Sequence, residues 1–333
     1  MVQYSYYLRK IMSLQANRDY YKPFTYPWAF EAFQQSEQMH WLWTEVPMLE
    51  DVKDWQNRLN EQEKDFLTKI FRFFTQGDID VSGAYVRNYL PYFNAPEVRM
   101  MLSSFAAREA IHVAAYSHLI ETLGMPETIY NEFLEYEETK EKHEFFKSLQ
   151  EEHANNQHAV NIAAFSAFTE GMQLFSSFVM LLNFARHGKM RGMGQIIAWS
   201  IADETLHTES MIKLFRTYIS ENMHLWNDIT KSRIYKTAEV MVELEDKFID
   251  LAFSNGRTLL EGLTKEEVKK YIRYICDRRL ISLGLKGIFK VTKNPLVWVD
   301  GMLGVTHTNF FENKSVDYAK GALTGSWEEV WAS

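Results

Sequence analysis

Apolar residues recur every three to four positions along most of the chain beyond residue 60, the spacing that lines one face of an α-helix. Glu61–Asn88 shows it at Phe66, Ile70 and Phe73 or Phe74. Pro96 can open the next helix, which runs to about Leu123, where Gly124 and Pro126 stop it. Glu127–Glu152 is polar and predicts two short helices, whereas Ala154–His187 is long and apolar and ends at Gly188. Met190–Ser220, Glu221–Asn255 and Thr264–Leu285 read as further helices, with Gly256 between the last two. No strand-like alternation of useful length occurs. The pattern predicts an all-α fold, with one helical bundle over 60–290 and no linker to split it. Residues 1–59 read as an irregular aromatic arm, because Pro23, Pro27 and Pro47 interrupt any helix. Residues 291–333 read as a C-terminal segment whose end, after Asn309, is polar and predicts a flexible tail.

Composition narrows the class. Aromatic residues make up 15% of the 333, which supports a thick core, and 7 Pro with 15 Gly leave room for long helices. The net charge of -8, with no basic block, argues against nucleic acid or an anionic membrane as partner. No uncharged run approaches the ~18 apolar residues of a membrane span, and Met1–Gln15 does not read as a signal peptide. The single cysteine, Cys276, fits a reducing cytosol and leaves the chain without a dithiol of its own.

Two Glu-x-x-His motifs lie in apolar helices, Glu109-Ala-Ile-His112 and Glu204-Thr-Leu-His207. Side chains at i and i+3 share a helix face and can serve one metal site. The spacing alone is weak, since Glu37/His40 and Glu221/His224 have it too. Context separates them. Asp78 stands 31 residues before Glu109 and Glu170 stands 34 before Glu204, each on the preceding long helix among apolar neighbours. Taken singly, each of these six reads equally well as a surface acid or a hydrogen-bonded core histidine. Together, four acids and two histidines in this order match the ligand set of a ferritin-like di-metal carboxylate bundle. Such ligands suit iron or manganese better than zinc or copper. Tyr116 follows His112 by four and so shares its face.

The segment Glu109-Ala-Ile-His112-Val-Ala-Ala-Tyr116-Ser-His resembles the radical-bearing segment of the class I ribonucleotide reductase small subunit, and the resemblance extends over most of the chain. It implies that Asp78, Glu109 and His112 bind one metal and Glu170, Glu204 and His207 the other. Iron is the expected ion, with manganese or a mixed pair as the alternatives. It implies that O2 reacts there to leave a radical on Tyr116, and that Asp203, in Asp-Glu-x-x-His, bonds His112. Trp41, in Trp41-Leu-Trp43-Thr-Glu-Val-Pro, aligns with the family's electron-relay tryptophan, with Trp43 as a neighbouring rival. Tyr318 falls where the family carries a tail tyrosine at the subunit boundary. Trp327, Val330 and Trp331 suggest that the tail docks on a large catalytic subunit, where deoxyribonucleotides would be made for DNA replication. A homodimer and a cytoplasmic location come from the same resemblance. The chain departs from the family at Ala202, where an arginine is usual, at Leu174, where a pocket phenylalanine is usual while Phe178 is retained, and at Ser200, an isoleucine position. A more polar pocket would admit water and shorten the radical's life. Two rivals remain: another di-metal oxidase or hydroxylase on this scaffold, and an iron-storage ferroxidase. The first does not need Tyr116, Trp41, Asp203 and a tail tyrosine together, and chains of the second kind are usually much shorter and need no long aromatic arm.

Overall fold

A computed structural model of the chain describes residues 13–130, 132–151, 155–254 and 259–303. The described residues as far as Leu296 belong to one compact unit; a second unit begins at Val297, and of it only a short helix over 297–303 is described. Tyr318, Trp327, Val330 and Trp331 lie outside the described residues.

The arm is more helical than the prolines suggested. Pro27 opens α1 (Pro27–Gln38), at a position where its missing N–H is no loss. A 3-10 turn, Trp43–Glu45, then α2 (Leu49–Lys53) and a π-helical turn, Asp54–Arg58, complete it. The bundle consists of α3 (Glu61–Ala84), extended by a π turn Tyr85–Tyr89, α4 (Pro96–Thr122), α5 (Glu137–Glu151), α6 (Asn155–Ala164), α7 (Phe175–Arg186), α8 (Arg191–Glu221), α9 (Asp228–Ala252) and α10 (Lys265–Ser282). Two 3-10 turns and one helix, α5, stand where two short helices were expected. A two-residue antiparallel pair, Leu259–Leu260 with Leu263–Thr264, leads into α10. Thr264 caps that helix in a reciprocal pair with Glu267, as Asn60 does with Glu63 for α3.

The expected single helix over 154–187 is interrupted. Between α6 and α7 the chain winds as a π-helix over Phe165–Gln173, all nine residues buried. Gly171 within it lets Arg279 approach: a Cβ there would lie 2.8 Å from Arg279 Nε, whose N–H donates to the Gly171 carbonyl. The stretch Gln157–Arg186 is long and apolar enough to cross a membrane, contrary to the reading of the charge pattern, but it is wholly buried within the bundle. It is a core helix. A fully buried Leu or Phe contributes roughly 1.5–3 kcal/mol, and buried Phe66, Phe71, Phe105, Phe168, Phe178 and Phe248 fill the space between helices.

The arm is fastened to the bundle by buried acids. Both oxygens of Asp51 accept 2.8 Å bonds from Gly192 N and Met193 N, and Asp54 accepts from Met190 N. These satisfy free amides at the start of α8 and set an anion at its positive end. Gly192 is required here, because a Cβ would fall 2.9 Å from the Pro47 carbonyl oxygen and 2.8 Å from the Asp51 carboxylate that caps the helix. Buried Glu97 of α4 pairs with Arg18 at 3.0 Å and accepts from the amides of Thr25 and Tyr26. The arm is thereby held where Trp41 can reach the interior.

Candidate metal centre

Four segments of the bundle bring the six predicted ligands together. Asp78 comes from α3, Glu109 and His112 from α4, Glu170 from the π-helical segment, and Glu204 and His207 from α8. All six are at most 1% exposed. They form two overlapping groups, Asp78/Glu109/His112/Glu204 and Glu109/Glu170/Glu204/His207, each with potential ligand atoms within 4.8 Å of one another. Glu109 and Glu204 belong to both groups, so the two sets of residues overlap at these carboxylates. His112 Nδ1 lies 3.4 Å from Glu109 and 3.3 Å from Glu204; His207 Nδ1 lies 3.0 Å from Glu109 and 3.7 Å from Glu204.

The donor set fits a pair of metal ions. Both oxygens of Glu109 and of Glu204, Asp78 Oδ2, Glu170 Oε1 and the Nδ1 atoms of both histidines are buried without a hydrogen bond. Buried polar atoms left so in a core are strongly unfavourable, and cations coordinated by them remove the penalty. Without metal, protons take that place. Burial, helped by Glu109, drives Asp78 well above the ordinary carboxylate range, and burial with the Glu204 charge does the same to Glu170. Burial also acts to raise Glu109, but His112 and His207 outweigh it and hold it at about 2. Burial acts to lower His112 and His207; the surrounding acids prevail, lifting His112 well above its usual value and His207 to about 10.

Around this cluster lies a polar chain running toward the arm. His112 Nε2 bonds Asp203 Oδ2 at 3.1 Å, and Trp41 Nε1 donates to the same oxygen at 2.8 Å. The Trp41 and His112 rings stack at 5.9 Å. Trp41 is 1% exposed, while Trp43 sits half-buried in the 3-10 turn. Of the two candidate tryptophans, the structure thus joins Trp41 to Asp203. Burial would raise the Asp203 carboxyl, but His112 and then Arg108 overcome it and hold it below its ordinary value.

Arg108 was missed from sequence. Buried on α4 beside Glu109, it donates to Asp203 Oδ2 from Nη2 at 3.2 Å and from Nε at 3.4 Å, and its guanidinium lies 5.6 Å over the Trp41 ring. Its Nη1 is 3.5 Å from His40 Nδ1, a member of a Glu-x-x-His pair that had been set aside. Ala202 therefore does not leave Asp203 without a cation; the arginine comes from another helix. An arginine inside an apolar stretch was the available signal, since such a group needs a buried partner. Tyr85 was also missed. Its hydroxyl donates to Glu170 Oε2 at 2.9 Å.

Tyr116 is 4% exposed, stacks on Phe74 at 4.6 Å, and donates to Ser200 Oγ at 3.0 Å. Burial, with the Asp78 charge second, pushes its phenol well up. Phe74 stacks in turn on the retained Phe178. Leu174 borders a cavity of about 40 Å³ with Phe73, Gly77 and Gln173, room for roughly two or three waters. Ile79, the apolar residue next to Asp78 in sequence, faces outward and is 50% exposed.

Residues 18–295 match the model of the family described as ribonucleotide reductase, small chain. The chain belongs to that family. The small chain is 49% identical to the probable ribonucleoside-diphosphate reductase small subunit 376L of Invertebrate iridescent virus 6, over 96% of this chain and 99% of that protein. It is 52% identical to the corresponding probable small subunit 048L of Invertebrate iridescent virus 3, over 95% and 88%. Among solved structures, the ribonucleotide reductase R2 subunit of Clostridium botulinum superposes with a TM-score of 0.78 at 26% identity, covering 84% of this chain and 88% of that one. A dimanganese(II) protein from Streptococcus sanguinis shares the fold, with a TM-score of 0.70 at 20% identity. The chain is thus the small subunit of a ribonucleoside-diphosphate reductase, which works with a large subunit, and its buried carboxylates and histidines could hold two metal ions.

Proposed function

We propose that this small subunit stores an oxidising equivalent on Tyr116 and delivers it to the large subunit, where ribonucleotides are reduced to deoxyribonucleotides. Asp78, Glu109 and His112 with Glu204 would hold one ion, and Glu170, Glu204 and His207 with Glu109 would hold the other. Iron is the expected ion, and manganese remains the alternative that a dimanganese neighbour of the same fold keeps open. When bound, such a pair supplies the one-electron chemistry by which O2 is reduced.

The chain's own residues do the rest. Asp203 fixes the His112 imidazole with Nδ1 toward the cluster and Nε2–H toward itself. The same carboxylate receives the Trp41 indole N–H, so arm and cluster are joined through a single oxygen. His112 and then Arg108 keep that carboxylate anionic. Phe74 and Phe178 close the space around Tyr116 against water. The equivalent leaves through His112, Asp203 and Trp41, and then through Tyr318 on a C-terminal tail that docks on the large subunit. The active form is a homodimer in the cytoplasm. The observation that carries this reading is a tyrosine sealed against the cluster, its phenol within the field of Asp78 and His112. An iron store has no use for it.

Tyr116→Phe removes only the hydroxyl. The variant should still bind metal and consume O2, while losing both the tyrosyl signal and ribonucleotide reduction with the large subunit. Full reductase activity in this variant would place the oxidant elsewhere.

A further inference from the structure

We propose that Ser200 is a positioning residue for the oxidised form of Tyr116: its hydroxyl accepts the phenol's hydrogen bond in the resting chain, then turns to donate its own proton to the phenoxyl oxygen. This rests on the assignment of the radical to Tyr116.

Tyr116 lies on α4 and Ser200 on α8, two helices packed against each other, and the phenol donates to Ser200 Oγ over 3.0 Å. Ser200 is 0% exposed and Tyr116 4%, so the pair is shielded from bulk water. A serine hydroxyl carries one hydrogen and two lone pairs, and rotation about its C–O bond exchanges the two roles without moving a heavy atom. A phenoxyl has lost its proton and can only accept. If Ser200 kept its resting orientation, two acceptors would face each other in a dry pocket, which is unfavourable. Rotation replaces that contact with an O–H···O bond of the same length.

The proton balance needs no base at Ser200. Oxidation breaks the Tyr116 O–H bond and removes one electron and one proton, which would be one of the four electrons and four protons that turn O2 into two waters, the other three electrons coming from the bound metals and an external reductant. Ser200 is neutral before and after and keeps its own hydrogen. An aliphatic residue at 200 offers no such donor. The polar side chain that sequence reading took as a leak for water is instead the group that occupies water's place. The competing explanation is an ordered water as donor, which the serine variants separate from Ser200 itself.

High-field electron paramagnetic resonance on the full chain, reconstituted with iron or manganese and oxidant, tests this without reference to turnover. The wild-type radical should show a lowered largest g-value and a strong exchangeable deuteron coupling after transfer to D2O. Ser200→Ala and Ser200→Ile should raise that g-value and lose the coupling, and Ser200→Thr should restore both. A wild-type tyrosine signal without exchangeable coupling overturns the inference, whether or not any variant folds. A coupling that survives in Ser200→Ala overturns it in favour of water. Absence of any tyrosine signal in wild-type chain that binds two metals overturns the radical assignment itself, and the inference with it.

Discussion

Replacing Arg108 with methionine keeps most of the buried stem and removes the cation that faces Asp203. Both side chains are buried, at 6% and 1% exposure, so solvent screens the pair little. Stranding one member of a buried ion pair destabilises by about 3–5 kcal/mol. Asp203 would keep Trp41 and His112 as donors, which places the loss at the lower end, about 3 kcal/mol. With an unfolding entropy of about 2.1 cal/mol/K per residue, a chain of this size should melt about 4 °C lower. The sign with pH follows from Asp203, whose carboxyl is held below its ordinary value. The stabilisation is full above the unfolded carboxylate range and is lost as pH falls through the lower folded value. The assay is thermal unfolding of metal-free protein, followed by circular dichroism, for Arg108→Met, Asp203→Asn and the double variant. The double variant should lose clearly less than the sum of the singles. Additive losses, or a shift below about 1 °C for Arg108→Met, would refute the claim that Arg108 supports Asp203.

A second buried pair, Lys142 with Glu245 at 2.7 Å, sits under the Phe73 and Phe248 rings, and Ser176 also bonds Glu245. Burial lowers the lysine and raises the acid, so both charged forms depend on each other. Lys142→Met should cost about 3–5 kcal/mol in chemical denaturation, and adding Glu245→Leu should recover most of it; a double variant as weak as the single would contradict this. Metal uptake should release protons, because Asp78, Glu170, His112 and His207 are all shifted toward their protonated forms and must lose protons to coordinate. Affinity should therefore rise between pH 6 and 8 in a titration followed by proton release; a flat profile would be inconsistent with this electrostatic account.

The helical bundle was legible because its helices are long and their apolar positions keep one period. The convergence of Asp78, Glu109, His112, Glu170, Glu204 and His207 was legible because carboxylates in an apolar helix need partners, and the two Glu-x-x-His motifs each follow a helix with one such acid. The arm was misread: Pro27 breaks a helix only from inside, and here it starts one. The π-helical winding around Glu170 was hidden because each residue of Phe165–Gln173 is compatible with an ordinary α-helix, and the close approach of Arg279 and Thr208 to Gly171 is visible only in three dimensions. Arg108 escaped notice because its partner is far off in sequence, and the Tyr116–Ser200 bond did so because it crosses between helices. The sharing of Glu109 and Glu204 is likewise a three-dimensional fact that spacing does not encode.

The central claim is that these residues hold two metal ions through two shared carboxylates. Anomalous diffraction from crystals of the metal-loaded chain, collected on either side of the iron and manganese edges, tests it directly. The account predicts two peaks per chain, one beside His112 and one beside His207, both in contact with Glu109 and Glu204, with Asp78 on the first and Glu170 on the second. A single peak, or a pair from which any of the six residues stands apart, would contradict it.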